Sequence, residues 1–406
     1  MRLSVLAVVA AATSAAHAEP GRQPITLEDA LAAARDAPAA RVSPHEVEAA
    51  EASIGAASAW PAPSIHLATD RLTARLVAGA SIPLPVFGTV GAARRQATAE
   101  AEVVRAEAEL VRRELRHRVV VAWVALARAD GEVTTTSIAA QQAAELELIA
   151  RGRLAAGTGA DVDVTVASAA RARAGLAAAA AERDEDAASA ELAGLLGWDP
   201  ARMLIAAGAP VTGGEQELGT LIGRLGVHPE RAAAERRVDA AQAAVDQALS
   251  QRWPMIAVEG EVSLDDPTLE PQGKNDARVG LSLELPVFSH VGDKARAARA
   301  TREADRARLV ATEHTLAGEL VAAYRRWQAA TDALHALERD VEPAQERAAA
   351  LSAQAFREGA RDLESALQAE RDLAQVRAEL NNARADAAIA FADLELAAGQ
   401  EIDGAP

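Results

Sequence analysis

Two stretches of this chain, 201 residues apart, have nearly the same sequence: Leu84-Pro-Val-Phe-Gly-Thr-Val-Gly91 and Leu285-Pro-Val-Phe-Ser-His-Val-Gly292. The spacing continues beyond these phrases. Gly157 lies 70 residues after Phe87, and Gly359 lies 71 residues after Phe288. A fixed period of this kind indicates that the chain is built from two copies of one supersecondary unit. We therefore predict a first repeat over residues 19–208 and a second over residues 209–406.

Each repeat is predicted to contain a β-hairpin followed by a long helical hairpin. Apolar and polar residues alternate before each Leu-Pro-Val-Phe phrase, which predicts paired strands at about 62–84 and about 255–286. Segments with almost no glycine or proline follow, and they predict long helices at about 89–154 and 290–356 and return helices at about 161–196 and 362–398. A helix of 70 residues spans on the order of 100 Å, which no compact domain accommodates.

The four predicted strands need partners from other chains. An open sheet edge cannot lie in hydrocarbon, because its backbone groups would stay unpaired. Three chains would supply twelve strands, enough for a barrel that holds water. The alternation assigns one face to lipid and the other to the lumen. The expected lipid-facing residues are Val258, Val262, Leu281 and Leu283, and the expected lumen-facing residues are Glu259, Glu261, Arg278 and Glu284.

The N-terminus has the pattern of a secretory signal peptide. Arg2 precedes a short apolar run, and Ala16-His17-Ala18 has the form of a cleavage site, which predicts a signal peptide over residues 1–18. The chain has no cysteine, so we expect neither a disulfide nor a lipid anchor at a mature N-terminal cysteine. The net charge of −17 argues against a nucleic-acid partner.

These features together resemble the TolC family of outer-membrane channels, which serve tripartite efflux pumps and type I secretion systems. The resemblance is carried by the twofold repeat, the paired Leu-Pro-Val-Phe phrases, Arg153-Leu154-x-x-Gly157 with its counterpart Phe356-x-x-Gly359, and the Leu-Leu-Gly that closes the first repeat. The segment Leu225-Gly-Val-His-Pro-Glu230 resembles the heavy-metal-efflux, CzcC-like branch.

The resemblance implies a mainly helical homotrimer, with a 12-strand β-barrel in the outer membrane and an α-barrel that crosses the periplasm. A periplasmic adaptor and an inner-membrane transporter are expected to dock at the helical tips. The residues expected at the tip turns are Arg153, Gly157, Gly159, Phe356 and Gly359.

Acidic residues just beyond the tip turns are the candidates for a periplasmic gate: Asp161, Asp163, Asp362 and Glu364. In the best-known family pattern the constricting acids lie further past the glycine, where Ser365 and Gln368 stand in this chain. The residues expected to turn each strand pair into its helix are Pro85, Phe87, Gly91, Pro286, Phe288 and Gly292.

The sequence indicates neither catalysis nor a cofactor. The histidines are scattered without ligand spacing, so no metal site is predicted. The predicted function is that of a passive efflux conduit for metal ions or small toxic compounds. Two alternatives stay open from the sequence: a type I protein secretion conduit on the same fold, and a soluble periplasmic coiled-coil scaffold or adaptor.

Overall fold

The computed structural model describes residues 22–70, 75–264, 276–286 and 290–402. The predicted signal peptide at 1–18 therefore lies outside the described residues. The α-helices of the described chain are, in order, α1 Leu27–Ala34, α2 Val42–Ser58, α3 Thr89–Ala155, α4 Asp161–Leu195, α5 Leu218–Arg224, α6 Pro229–Ser250, α7 Val291–Ala336, α8 Glu342–Arg357 and α9 Leu363–Ala398.

The described strands form two separate sheets. They are β1 Gln23–Ile25, β2 Ser64–Asp70, β3 Arg75–Leu84, β4 Leu204–Ala206, β5 Met255–Leu264 and β6 Asp276–Glu284. The antiparallel sheet has the order β2-β3-β5-β6, so the two hairpins meet through β3 and β5. The parallel pair β1-β4 was not predicted, because three-residue strands are too short to show alternation.

The long helices agree closely with the predicted segments, with one difference. α3 is continuous through Gly131, as predicted. A Cβ at position 131 would lie 2.3 Å from the Asn381 Oδ1, so any larger residue would collide with the Asn381 side chain. The second predicted long helix is divided into α7 and α8 by a π-helical turn, Leu337–Val341. Pro343 follows at the start of α8, where its missing amide hydrogen is tolerated.

The described chain packs into two compact units that do not coincide with the two predicted repeats. One unit contains residues 22–37, 118–211 and 330–389, and the other contains residues 38–117, 212–329 and 390–402. Each unit therefore takes segments from both repeats.

The first unit anchors the start of the described chain on α3 and α4. Ile25 is buried, and its carbonyl accepts a 2.9 Å hydrogen bond from the indole Nε1 of the buried Trp123. The Arg22 guanidinium forms an ion pair with the buried carboxylate of Glu185. A buried charge is tolerated only when it is paired, so this contact fixes the β1 segment on α4.

The second unit contains the antiparallel sheet and a cluster of aromatic residues on α7 and α9. The Trp327 indole packs against Phe391, with ring centroids 6.2 Å apart, and its Nε1 donates to the Thr212 carbonyl over 2.8 Å. Gly213 has a φ of +78°, and a Cβ there would lie 2.4 Å from the Phe391 ring. The irregular segment before α5 is therefore held against the two helices by a contact that only glycine permits.

Candidate channel wall and helical tips

The antiparallel sheet has one apolar and one polar face, as the alternation predicted. The register pairs Ile82 with Val258, and Val258 with Leu281, so the apolar residues of adjacent strands share one face. The members of the apolar face are Ile65, Leu67, Thr69, Leu76, Ala78, Ala80, Ile82, Leu84, Ile256, Val258, Gly260, Val262, Leu264, Ala277, Val279, Leu281 and Leu283. This face crosses all four strands without a charged residue.

The apolar face is open in the single chain. Ile65 is 81% exposed, Leu281 is 76% exposed and Val279 is 85% exposed. A continuous apolar surface across four strands needs a cover, because soluble monomers rarely expose contiguous patches of this kind. The exposed face is therefore suited to contact lipid.

The opposite face carries the charged residues of the sheet. The register places His66, Gly79, Glu261 and Arg278 in one row across the four strands. The His66 imidazole lies over Gly79, where an added Cβ would come within 2.3 Å of the ring. Glu259 lies two residues from Glu261 and shares its face. The polar face can therefore line a water-filled passage.

The Leu-Pro-Val-Phe phrase converts the first hairpin into α3. Pro85 ends the strand pairing, and Gly88 has a φ of +74° directly before α3 begins at Thr89. Phe87 stacks on Trp253 with ring centroids 5.6 Å apart, and the Trp60 Nε1 donates a 3.0 Å hydrogen bond to the Pro83 carbonyl. These contacts join the phrase to the chain segments that lead into both hairpins.

The other predicted junction residues occupy matching places where the structure describes them. Gly91 lies in the first turn of α3, and Gly292 lies in the first turn of α7. Pro286 follows β6, as Pro85 follows β3. Phe288 lies outside the described residues.

The two tip turns are linked by Arg153, a contact that sequence spacing alone did not reveal. Its Nη1 donates a 2.9 Å hydrogen bond to the Phe356 carbonyl, and its guanidinium carbon lies 4.9 Å from the centre of the Phe356 ring. Gly157 and Gly359 have φ values of +73° and +78°, so both turns use a left-handed glycine after the helix end. The motifs Arg153-x-x-x-Gly157 and Phe356-x-x-Gly359 therefore contact each other through Arg153 and Phe356.

A buried apolar cluster fixes the four helix ends behind these turns. Phe356 is only 1% exposed, so its ring supports the tip from inside and is not available as a surface contact. The cluster draws on α3, α4, α8 and α9, and its buried members are Leu146, Ala150, Ala167, Phe356, Leu363, Ala366 and Leu367. The structure thus brings the first turns of α4 and α9 to one place.

The predicted gate acids lie at the N-terminal ends of α4 and α9. Asp161, Asp362 and Glu364 are exposed, and Asp163 is half-buried. Asp362 caps α9, because its Oδ1 accepts a 3.0 Å hydrogen bond from the Ser365 amide. Hydrogen bonds from the Ser365 hydroxyl and amide lower the pKa of Asp362, so the carboxylate stays charged at neutral pH. The Asp163 Oδ2 accepts a longer bond, 3.4 Å, from the Ala160 amide.

His228, in the segment that resembled the heavy-metal branch, has a structural role at the start of α6. It is buried, and its Nδ1 accepts a 3.2 Å hydrogen bond from the Glu230 amide, which makes it the helix cap. Gly399 lies against the ring, because a Cβ there would be 2.3 Å from the His228 Cδ2. Burial lowers the pKa of His228 below its ordinary value of 6.5, and the Leu396 carbonyl offsets this only in part.

We expect His228 to make the second unit less stable in acid. The pKa of His228 is lower in the folded state than in the unfolded state. The neutral imidazole therefore contributes to the free energy of unfolding above about pH 6.5, and this contribution is lost as the pH falls through the folded-state pKa. The thermal midpoint of the wild type should therefore drop more between pH 7.5 and 5.5 than that of His228→Asn, which keeps a cap acceptor. His314→Asn, at an exposed position on α7, is the control and should follow the wild type. Equal pH dependence of wild type and His228→Asn would contradict this expectation.

Two features are absent from the described residues. None of the helices over these residues is long and apolar enough to cross a membrane. No group of three or more histidine, cysteine, aspartate or glutamate side chains in the described part of the chain could hold a metal ion.

The chain is similar to known proteins along most of its length. The family described as outer membrane efflux protein matches residues 27–198 and 225–400. No curated protein matches the chain by sequence. Among solved structures, the outer membrane protein VceC from Vibrio cholerae is 20% identical, with a TM-score of 0.73 over 92% of this chain and 96% of VceC.

Two other solved channels have the same fold. CusC, whose structures concern folding and transmembrane channel formation, is 16% identical, with a TM-score of 0.77 over 92% of each chain. The MtrE outer membrane channel of Neisseria gonorrhoeae, solved in its open state, is 18% identical, with a TM-score of 0.75 over 92% of this chain and 89% of MtrE.

These matches confirm the resemblance to the TolC family and the predicted fold class. The fold is mainly helical with a small sheet. In the solved structures of this fold, three chains form an outer-membrane β-barrel, and an α-barrel continues from it into the periplasm. The family covers more than half of the chain and consists of channels, not enzymes. The chain therefore belongs to the outer membrane efflux protein family and is the outer-membrane channel of a tripartite efflux system, extending into the periplasm.

Proposed function

We propose that the polar face of the four-stranded sheet forms the wall of the export passage and that the apolar face contacts the lipid of the outer membrane. The separation of the two faces carries this proposal. β2 and β6 stand at the two ends of the sheet, so each is placed to pair with a neighbouring copy. Closure by three copies would satisfy the edge backbone groups and put water and lipid on opposite sides of the wall.

The charge of the polar face favours cations as cargo. Among its described side chains, acidic residues outnumber basic ones, with Glu259, Glu261, Asp276 and Glu284 against Arg278. A passage lined mainly by negative charge raises the local concentration of cations. We therefore propose metal ions or small positively charged toxic compounds as substrates, with energy supplied by the inner-membrane partner.

Ion selectivity in planar bilayers tests the wall assignment. The wild-type channel should pass K⁺ more readily than Cl⁻, and the permeability ratio should fall towards 1 in Glu259→Gln/Glu261→Gln, because two negative charges per chain leave the wall. Glu46→Gln/Glu48→Gln removes the same charge from α2, outside the sheet, and should leave the ratio unchanged. An anion-selective wild type would contradict the proposed cargo, and an absence of channels in any lipid would contradict the proposed wall.

A growth assay tests the class of cargo. A strain that lacks the gene should become more sensitive to the salts of exported metals or to cationic dyes, and the wild-type gene should restore resistance. Sensitivity to metal salts alone would favour the heavy-metal branch. Unchanged growth on both classes of compound would contradict the proposed substrates.

We propose further that the acids next to the tip turns narrow the periplasmic entrance. Asp161, Asp163, Asp362 and Glu364 lie at the N-terminal ends of α4 and α9, two helices that share one buried cluster, and copies related by threefold symmetry would bring their charges into a ring. The low pKa of Asp362 supports a ring that remains charged at neutral pH. Like charges at a narrow opening favour hydration and cation entry while restricting larger anionic solutes.

Removing charge from the second tip is expected to raise the single-channel conductance. Asp362→Asn/Glu364→Gln is the sharper variant, because asparagine still accepts the Ser365 amide and the cap of α9 is kept. Glu379→Gln/Asp386→Asn takes the same charge from exposed positions further along α9 and serves as the control. Conductance that is unchanged in the tip variant would remove Asp362 and Glu364 from the gate.

The tip turns are proposed to meet the periplasmic adaptor. Val162 and Val166 are exposed on α4 directly behind the first turn, although most apolar residues of the tip are buried. Gly157 and Gly159 lie on the turn itself, where the backbone is accessible to a partner. Arg153 and Phe356 contribute indirectly, because their contact holds the two turns side by side.

A further inference from the structure

We propose that the chain carries a docking belt for anionic phospholipid headgroups at the foot of the barrel, where the strands continue into the helices. This inference rests on the proposed orientation of the sheet in the outer membrane. The belt comprises residues 52–60, 85–99, 247–254, 285–286 and 290–301, which flank the strands on the helical side. All of these segments belong to one compact unit.

The charge of the belt is opposite to that of the chain. Its sequence contains six basic residues and one acidic residue, a net charge of +5 in a chain whose net charge is −17. The basic residues are Arg94, Arg95, Arg252, Lys294, Arg296 and Arg299, and all six are exposed. The acidic residue, Asp293, already forms an ion pair with Arg296. Within the part of the chain that the structure describes, ion pairing neutralises only Arg296 among the six basic residues.

Aromatic side chains lie in the same segments as these basic residues and indicate that a membrane boundary is there. Phe87 stacks on Trp253, and the Arg252 guanidinium carbon lies 5.2 Å from the centre of the Trp253 ring. Trp60 is exposed, with its Nε1 bonded to the Pro83 carbonyl. Amphipathic rings at the edge of an apolar band are typical of the headgroup level of a bilayer. The basic residues therefore lie where headgroups would be.

The geometry of α3 provides a place for a headgroup phosphate. An open surface groove of about 530 Å³ is lined by Gly91, Arg94, Arg95, Thr98 and Ala99. Guanidinium groups bind phosphate oxygens through paired N–H donors, and Gly91 leaves the approach free of a side chain. Clusters of arginine and lysine beside a membrane are typical of anionic lipid recognition. Charge complementarity thus selects an anionic phospholipid over a neutral one.

Quenching of tryptophan fluorescence by brominated lipids measures this preference directly, because Trp60 and Trp253 lie in the belt. The full-length channel is reconstituted in phosphatidylcholine that contains brominated phosphatidylglycerol or brominated phosphatidylcholine. The wild type should bind phosphatidylglycerol several-fold more strongly. In Arg94→Gln/Arg95→Gln the ratio should fall towards equality, because each basic residue near the surface contributes to anionic lipid binding. Arg112→Gln/Arg308→Gln, at exposed positions further along α3 and α7, should keep the wild-type ratio.

A salt titration of the wild type keeps the test independent of any variant. The preference should weaken between 0.05 and 0.5 M NaCl, because surface electrostatic attraction is screened over about 10 Å at 0.1 M salt. A preference that salt does not change, or an equal ratio in the wild type and Arg94→Gln/Arg95→Gln, would overturn the belt. A channel that conducts without any lipid preference would contradict only this inference, whereas a chain that opens no channel in either lipid would contradict the proposed function.

Discussion

Leu281→Arg is expected to prevent assembly of the channel in the outer membrane. Leu281 lies in the middle of β6 on the apolar face, between Val279 and Leu283, and it is 76% exposed in the single chain. Arginine on the lipid face of a barrel costs about 2–4 kcal/mol near the bilayer centre, and the substitution enters once per chain. We expect the variant to be lost from the outer-membrane fraction and from the detergent-extracted trimer.

Ser282→Arg is the matched control for this experiment. It is the next residue on the same strand, it pairs with Ala257, and it lies on the polar face. Because a lumen position is hydrated, the arginine should be tolerated and should shift ion selectivity towards anions. Equal assembly of Leu281→Arg and Ser282→Arg would show that the two faces do not separate lipid from water.

Phe356→Ala is expected to loosen both helical tips at once. The Phe356 ring is almost fully buried among the ends of four helices, so its removal should cost about 3–5 kcal/mol of local stability. Arg153 would also lose the ring under its guanidinium. Hydrogen exchange measured by mass spectrometry should rise in both turns, at residues 150–165 and 355–368, and efflux should fall although the barrel still assembles.

A nearby leucine gives the control for the tip variant. Leu351 is on the same helix, α8, but it is 67% exposed. Leu351→Ala should change stability by no more than about 0.5 kcal/mol, as is usual for surface substitutions. Faster exchange confined to the Phe356 turn, with the Arg153 turn unaffected, would contradict the coupling of the two tips.

Most of the fold could be predicted because long periodic segments dominate the chain. α3 and α4 begin and end within a few residues of their predicted limits, since helix-breaking residues occur mainly at the turns. The sheet faces could be predicted as well, because the side-chain period of a strand is two and Val258, Val262, Leu281 and Leu283 all indicate the same register.

The contacts between distant segments could not be predicted. Nothing in the spacing of Arg153 indicates that it binds the Phe356 carbonyl 203 residues away. The same holds for β1, whose partner β4 follows only after the first helical hairpin. The sequence also did not indicate that His228 caps α6 and packs against Gly399. Such contacts depend on tertiary packing, which local periodicity does not encode.

The most direct test of the two-faced wall uses single cysteines, because the natural sequence has none. Cysteine is placed in turn at Gly280, Leu281 and Ser282, and a charged, water-soluble methanethiosulfonate reagent is added while current is recorded in a planar bilayer. We predict that the current falls for the cysteines at positions 280 and 282, which face the lumen, and stays unchanged for the cysteine at position 281. Block at position 281, or equal behaviour at all three positions, would contradict the account.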